Sequence, residues 1–126
     1  MKWKLIEPAP GDMIRVKQGS IWHYGIYASD EEVIQFGMPP LRRRDVKDAD
    51  VRVCASDVDA FLCGGFLEVA VFERSERRRN RDARAVLAFA RESLGKGGYN
   101  ILYNNCEHFA NWCACGKRIS RQVLMR

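Results

Sequence analysis

The run Ile21-Trp22-His23-Tyr24-Gly25-Ile26-Tyr27-Ala28 is the strongest constraint on what this chain can fold into. It is rich in β-branched and aromatic residues and reads as a strand. A period of two puts Ile21, His23, Gly25 and Tyr27 on one face and Trp22, Tyr24, Ile26 and Ala28 on the other. Ser29-Asp30-Glu31 is a hairpin-type connection, and Glu32 to Phe36 reads as the next strand, with Val33 and Gln35 on one side of it. Gly37-Met38-Pro39-Pro40 ends that strand.

The flanking segments extend this hairpin. Pro8-Ala9-Pro10-Gly11-Asp12 is a turn, Met13 to Val16 alternates as a short strand, and Gln18-Gly19-Ser20 turns again. Residues 41–60 carry weak signals: Val51-Arg52-Val53 reads as a short strand and Asp57 to Leu62 as a turn of helix. Phe66 to Phe72 is a clear strand. Ala83, Val86, Leu87, Ala90 and Leu94 then follow the i, i+3, i+4, i+7 spacing of one buried helical stripe, with Gly95 as the C′ residue. After the loop Gly95-Lys96-Gly97-Gly98, Tyr99 to Tyr103 leads into a last helix. Asn104 as N-cap with Glu107 three residues on resembles a capping box, and Gly116 fits the stop. Cys106, Phe109, Ala110 and Cys113 share one face of that helix.

Composition bounds the class. At 126 residues, 47% of them hydrophobic, residues 1–126 are most simply one globular domain. Met1 to Pro8 holds no apolar run of the roughly 7–15 residues a signal peptide needs, and no stretch approaches the ~18 apolar residues of a membrane span. Five Cys (54, 63, 106, 113 and 115) without a signal argue for a reducing compartment rather than a disulfide framework. The expectation is a soluble, cytoplasmic protein. The net charge of +5 resides largely in Arg42-Arg43-Arg44 and in Arg77-Arg78-Arg79 with Arg81 and Arg84. Such runs are ordinarily solvated; transient contact with an anionic membrane surface is the functional alternative. No aromatic residues interleave the arginines, so nucleic acid is not expected.

The residues that carry chemistry are few. Cys106 falls in the first turn of the last helix, where free N–H groups and the helix dipole favour a thiolate. A free Cys is otherwise a small buried hydrophobe. Of the two His, His108 lies two residues from Cys106, about 200° around the helix, and reads as structural. His23, on a strand, is the one geometrically reasonable base. Cys106, His108, Cys113 and Cys115 do not have a zinc-site spacing, and no phosphate-binding glycine motif occurs, so neither a metal nor another cofactor is expected.

Taken together, Pro8-x-x-Gly11-Asp12, Trp22 to Tyr27 and Asn105-Cys106-Glu107-His108-Phe109 resemble the LRAT-domain family, of the lecithin retinol acyltransferase and HRAS-like suppressor type, within the circularly permuted, NlpC-type branch of the papain-like superfamily. The resemblance covers residues 7–37 and 99–116. It implies an α+β fold in which the helix bearing the Cys packs on a small antiparallel sheet bearing the His. It gives the nucleophile's role to Cys106 and the base's role to His23. Animal members of the family carry a second His on the following strand, where this chain has Gln35. A Gln oxygen can accept the Nδ1–H bond that orients the imidazole, although it carries no charge. Phospholipase-type members end in a hydrophobic anchor, whereas residues 118–126 here are mixed and basic, which points to a soluble relative.

The implied reaction is acyl transfer through a thioester. Its substrate is an acyl ester or amide, with a lipid as the first option, and the backbone N–H of Cys106 faces the oxyanion. A lipid acyl hydrolase or acyltransferase, a peptidase or amidase, and a non-catalytic binding module remain the three readings.

Overall fold

The structure, a computed structural model, describes residues 1–37, 47–77, 81–99 and 105–116. The arginine run 42–44, Arg78 and Arg79, the break at 38–40, Asn104, most of the 99–103 approach and the 118–126 tail lie outside those residues. The fold is α+β. Strands β1 (Lys2–Lys4), β2 (Met13–Gln18), β3 (Ile21–Ser29), β4 (Glu32–Phe36), β5 (Val53–Ser56) and β6 (Glu68–Val71) form one sheet in the order β1-β6-β2-β3-β4-β5. Every pairing in it is antiparallel. The helices are α1 (Val58–Leu62), α2 (Arg74–Arg77), α3 (Ala83–Glu92) and α4 (Cys106–Cys115), with a 3-10 turn at Asp48–Asp50.

The two faces expected of β3 pack into two separate apolar clusters. Tyr24 and Ile26 join Ile34 and Phe36 of β4 and are covered by Val86 and Ala90 of α3 and by Phe109, Ala110 and Cys113 of α4. Phe36 meets the Phe109 ring edge-on at 6.2 Å, a favoured aromatic geometry. Tyr27 and Val33 point the other way and cluster with Ile14, Val16, Val69 and Phe61 of α1. The sheet is therefore roofed on one face by α3 and α4 and on the other by the short α1.

Several boundaries differ from the sequence expectations. β5 begins at Val53 rather than Val51, because its register is set by β4, with Phe36 opposite Val53 and Gln35 opposite Cys54. The stripe on α3 is narrower than its spacing implies. Val86 and Ala90 are buried, but Ala83 is exposed, and Leu94 is exposed because the helix has already ended at Glu92, with Ser93 as its C-cap. The strand expected over 66–72 shrinks to Glu68–Val71 and leaves Phe66 exposed. At α4 the N-cap is Asn105, not Asn104. Its side-chain oxygen accepts from the N–H groups of Glu107 and His108, both at 3.0 Å. The reciprocal partner is His108, whose Nδ1 accepts from Asn105 N at 3.1 Å, so His108 takes the role expected of Glu107.

Gly25 sits where Phe61 enters the sheet: a Cβ there would lie 2.8 Å from the Phe61 ring and 3.1 Å from the Ile34 oxygen. Both neighbours are held by buried packing, so a Gly25→Ala chain is overpacked. We expect Gly25→Ala to lower unfolding free energy by about 1–3 kcal/mol in urea titrations, with an unchanged m-value.

Candidate active site

His23 and Gln35 come together because β3 and β4 pair with Gly25 opposite Gln35. That register places Gln35 diagonally across from His23 on the same face. His23 Nε2 and Gln35 Oε1 are 2.7 Å apart, and both side chains are fully buried. A carbonyl oxygen only accepts, so Nε2 carries the proton and Nδ1 of the neutral ring is a lone pair. The nitrogen that meets Gln35 is thus Nε2, not the Nδ1 expected from the sequence. Nδ1 is buried and has no hydrogen-bond partner among the described residues. The Phe61 ring lies over the imidazole at 5.1 Å with a 30° tilt. Desolvation pushes the His23 pKa from 6.5 down to about 4, and the bond to Gln35 only partly opposes it.

Cys106 is the first residue of α4 and is 2% exposed. Its sulfur points at the carbonyl oxygen of Trp22, 3.9 Å away, so it rests against the backbone of β3 one residue before His23. The helix start does not prevail over burial. Desolvation pushes the thiol up to about 12, and the Glu107 charge adds to this. Backbone hydrogen bonds from Tyr24, Glu107 and Cys106 itself pull the other way without winning. Of the two protonation states left open by the sequence, burial favours a neutral thiol at Cys106 and a neutral imidazole at His23 over a preformed ion pair.

The structure therefore joins His23 to Gln35 and sets the Cys106 sulfur against the backbone of the strand that bears His23. No hydrogen bond links the His23 ring to the sulfur. The His23 ring stacks on Phe61 of α1, and the Cys106 sulfur reaches the backbone of β3 from the start of α4. His108 is occupied at the N-cap of α4 and is buried, in keeping with a structural role.

Two further groups were not visible as site residues in the sequence. Phe61 covers the imidazole; the sequence suggests a turn of helix over Asp57 to Leu62, and nothing in it announces the ring's partner. Arg15 is stacked between Trp22, at 3.7 Å from the ring centre, and Trp3, at 4.3 Å, and is paired with Glu68 at 2.7 Å. Its position opposite Tyr24 follows from the β2–β3 register, which periodicity alone does not reveal. Among the described residues, no group of three or more His, Cys, Asp or Glu is placed to hold a metal ion.

The family model for lecithin retinol acyltransferase matches residues 6–119. The chain belongs to that family. Lecithin retinol acyltransferase from Bos taurus is 30% identical over an alignment taking in 90% of this chain and 57% of the relative. The Homo sapiens protein of the same name is 29% identical, over 89% of this chain and 56% of its own length. Phospholipase A and acyltransferase 4 from Homo sapiens is 25% identical, over 93% of this chain and 76% of its own length. The chain thus spans a little more than half the length of the lecithin retinol acyltransferases it matches.

In this LRAT-family chain the electrostatics of the site make the fold sensitive to acid. The unfolded chain protonates His23 near 6.5 and the folded chain only near 4. Stability from this group is therefore complete above pH 6.5 and is lost as pH falls towards 4, by about 3 kcal/mol. Denaturant titrations between pH 4 and 6.5 should show a shallower dependence for His23→Asn; an equal slope in both proteins would exclude His23 as the source. The burial of Cys106 has a separate readout. Iodoacetamide at neutral pH should alkylate exposed Cys63 well before Cys106, as read by peptide mass spectrometry.

Proposed function

We propose that this chain carries out cysteine-dependent acyl transfer through a thioester acyl-enzyme, with a lipid-type acyl ester as the substrate class. Cys106 is the nucleophile, His23 the base and Gln35 the residue that orients the base. One observation carries this reading: a fully buried imidazole is held through Nε2 by Gln35, while its other nitrogen is buried without a partner among the described residues. An unsatisfied buried nitrogen is costly, and it is tolerated where the lone pair has a task. The similarity to proteins named lecithin retinol acyltransferase and phospholipase A and acyltransferase supports the acyl chemistry.

In the proposed reaction His23 Nδ1 takes the proton from the Cys106 thiol as the sulfur attacks the acyl carbonyl. Because both groups start neutral, proton transfer accompanies attack instead of preceding it. The oxyanion is met by the backbone N–H of Cys106 at the start of α4. The imidazolium then returns its proton to the departing alkoxide, and the thioester remains on Cys106. Water resolves it in a hydrolase, and an acceptor alcohol or amine does so in an acyltransferase. Cys54, Cys63 and Cys106 carry free thiols, which fits work in a reducing compartment. No helix among the described residues is long and apolar enough to cross a membrane.

Intact-mass spectrometry after exposure to a diacyl phospholipid, a p-nitrophenyl acyl ester and short peptides tests the proposal. An acyl adduct on Cys106 from the esters is the expected result, absent in Cys106→Ala. His23→Ala should slow single-turnover acylation by about 10²-fold or more, the usual loss for a general base. His108→Ala should lower the melting temperature and leave the rate largely intact. An adduct formed from peptides alone moves the substrate class to amides. No adduct from any of the three leaves a binding module as the reading.

A further inference from the structure

We propose that Ser56 is a positioning residue that fixes, through Gln35, which nitrogen of the His23 ring carries the proton. The inference rests on the reading of His23 as the base. A Gln side chain has two ends of nearly equal shape and opposite polarity. With Oε1 towards His23 the ring proton stays on Nε2 and Nδ1 is free to act. With the NH2 group towards His23, Nε2 must accept, the proton moves to Nδ1, and the ring can take nothing from a thiol. Nothing in the His23–Gln35 contact itself chooses between these arrangements.

The choice is made at the other end of the amide. Gln35 Nε2 lies 2.7 Å from Ser56 Oγ. A hydroxyl either donates or accepts, so the decision passes to Ser56. Ser56 Oγ donates to the backbone carbonyl of Asp57 at 2.9 Å, and a carbonyl only accepts. The hydroxyl proton is therefore committed, and Oγ accepts from the Gln35 amide. The polarity of the chain then runs one way, from the Asp57 carbonyl through hydroxyl and amide to Nε2–H.

Its far end is well anchored. Asp57 is the N-cap of α1: its side chain accepts from Ala60 N at 2.8 Å, and its carbonyl also accepts from Phe61 N at 3.2 Å. The same helix delivers the Phe61 ring that covers His23. Ser56 arrives on the correct face because β5 pairs with Val33 opposite Ser56 and Gln35 opposite Cys54.

The test has a readout independent of turnover. In the full-length protein, the 15N shifts of the His23 ring report which nitrogen is protonated. The wild type should show a single tautomer with the proton on Nε2. Ser56→Ala frees the amide to turn, and both tautomers should appear. Ser56→Thr keeps the hydroxyl and should restore the single form. Single-turnover acylation should fall by about tenfold in Ser56→Ala, as for other outer-shell partners. A Ser56→Ala protein that melts normally and still shows only the Nε2–H ring overturns the inference. Failure of the underlying reading shows elsewhere: acylation that survives His23→Ala removes His23 as the base, whatever Ser56 does to the ring.

Discussion

The whole arrangement depends on β3 being buried on both faces. A strand in that position cannot use the ordinary division of apolar inside and polar outside. Tyr24 and Ile26 satisfy one face against α3 and α4, and Tyr27 satisfies the other against α1. His23 is the exception, a polar ring in an apolar layer, and it is sustained by one hydrogen bond to Gln35 and by the Phe61 ring. Gly25 makes this possible, since only a residue without a side chain leaves room for Phe61 against the strand. Packing and site chemistry are thus fixed by the same few residues.

Desolvation is the dominant electrostatic effect in this site. The start of α4 offers N–H groups and a dipole that favour a charged sulfur, an effect of roughly 0.3–2 kcal/mol. Removing a thiolate from water costs more, and the Glu107 carboxylate beside it makes ionisation harder still. The same physics strips the proton from His23. Burial thus favours the neutral thiol at Cys106 and the neutral imidazole at His23, and neither side chain holds a separated charge.

Much of the frame was legible in the sequence because it rests on local patterns. The alternation in 21–28, the strand at Glu32–Phe36 and the stop of α4 at Gly116 all follow from period, turn chemistry and capping. Elements without such patterns were not visible. β1 is Lys-Trp-Lys and becomes a strand only by pairing with β6. α2 is a single turn of mostly charged residues. Consecutive asparagines hid which of them caps α4, a question of backbone angle rather than residue type. Within the site, the residue types were readable and their relations were not. Periodicity says that His23 and Tyr24 face opposite ways, but not that α1 covers one and α4 the other. Nor does it say which imidazole nitrogen meets Gln35, because Ser56 and Asp57, which bear on it, come from another strand and a helix cap.

A sulfur as deeply covered as that of Cys106 also differs from an exposed one in its redox chemistry. Peroxides and other two-electron oxidants attack the ionised form, and the ladder from sulfenic to sulfonic acid begins there. With burial pushing the thiol far above its ordinary value, very little of that form is present at pH 7. Burial thereby shields this thiol from irreversible oxidation, and under the proposed function the same burial means that the sulfur must be exposed each time an acyl donor is attacked.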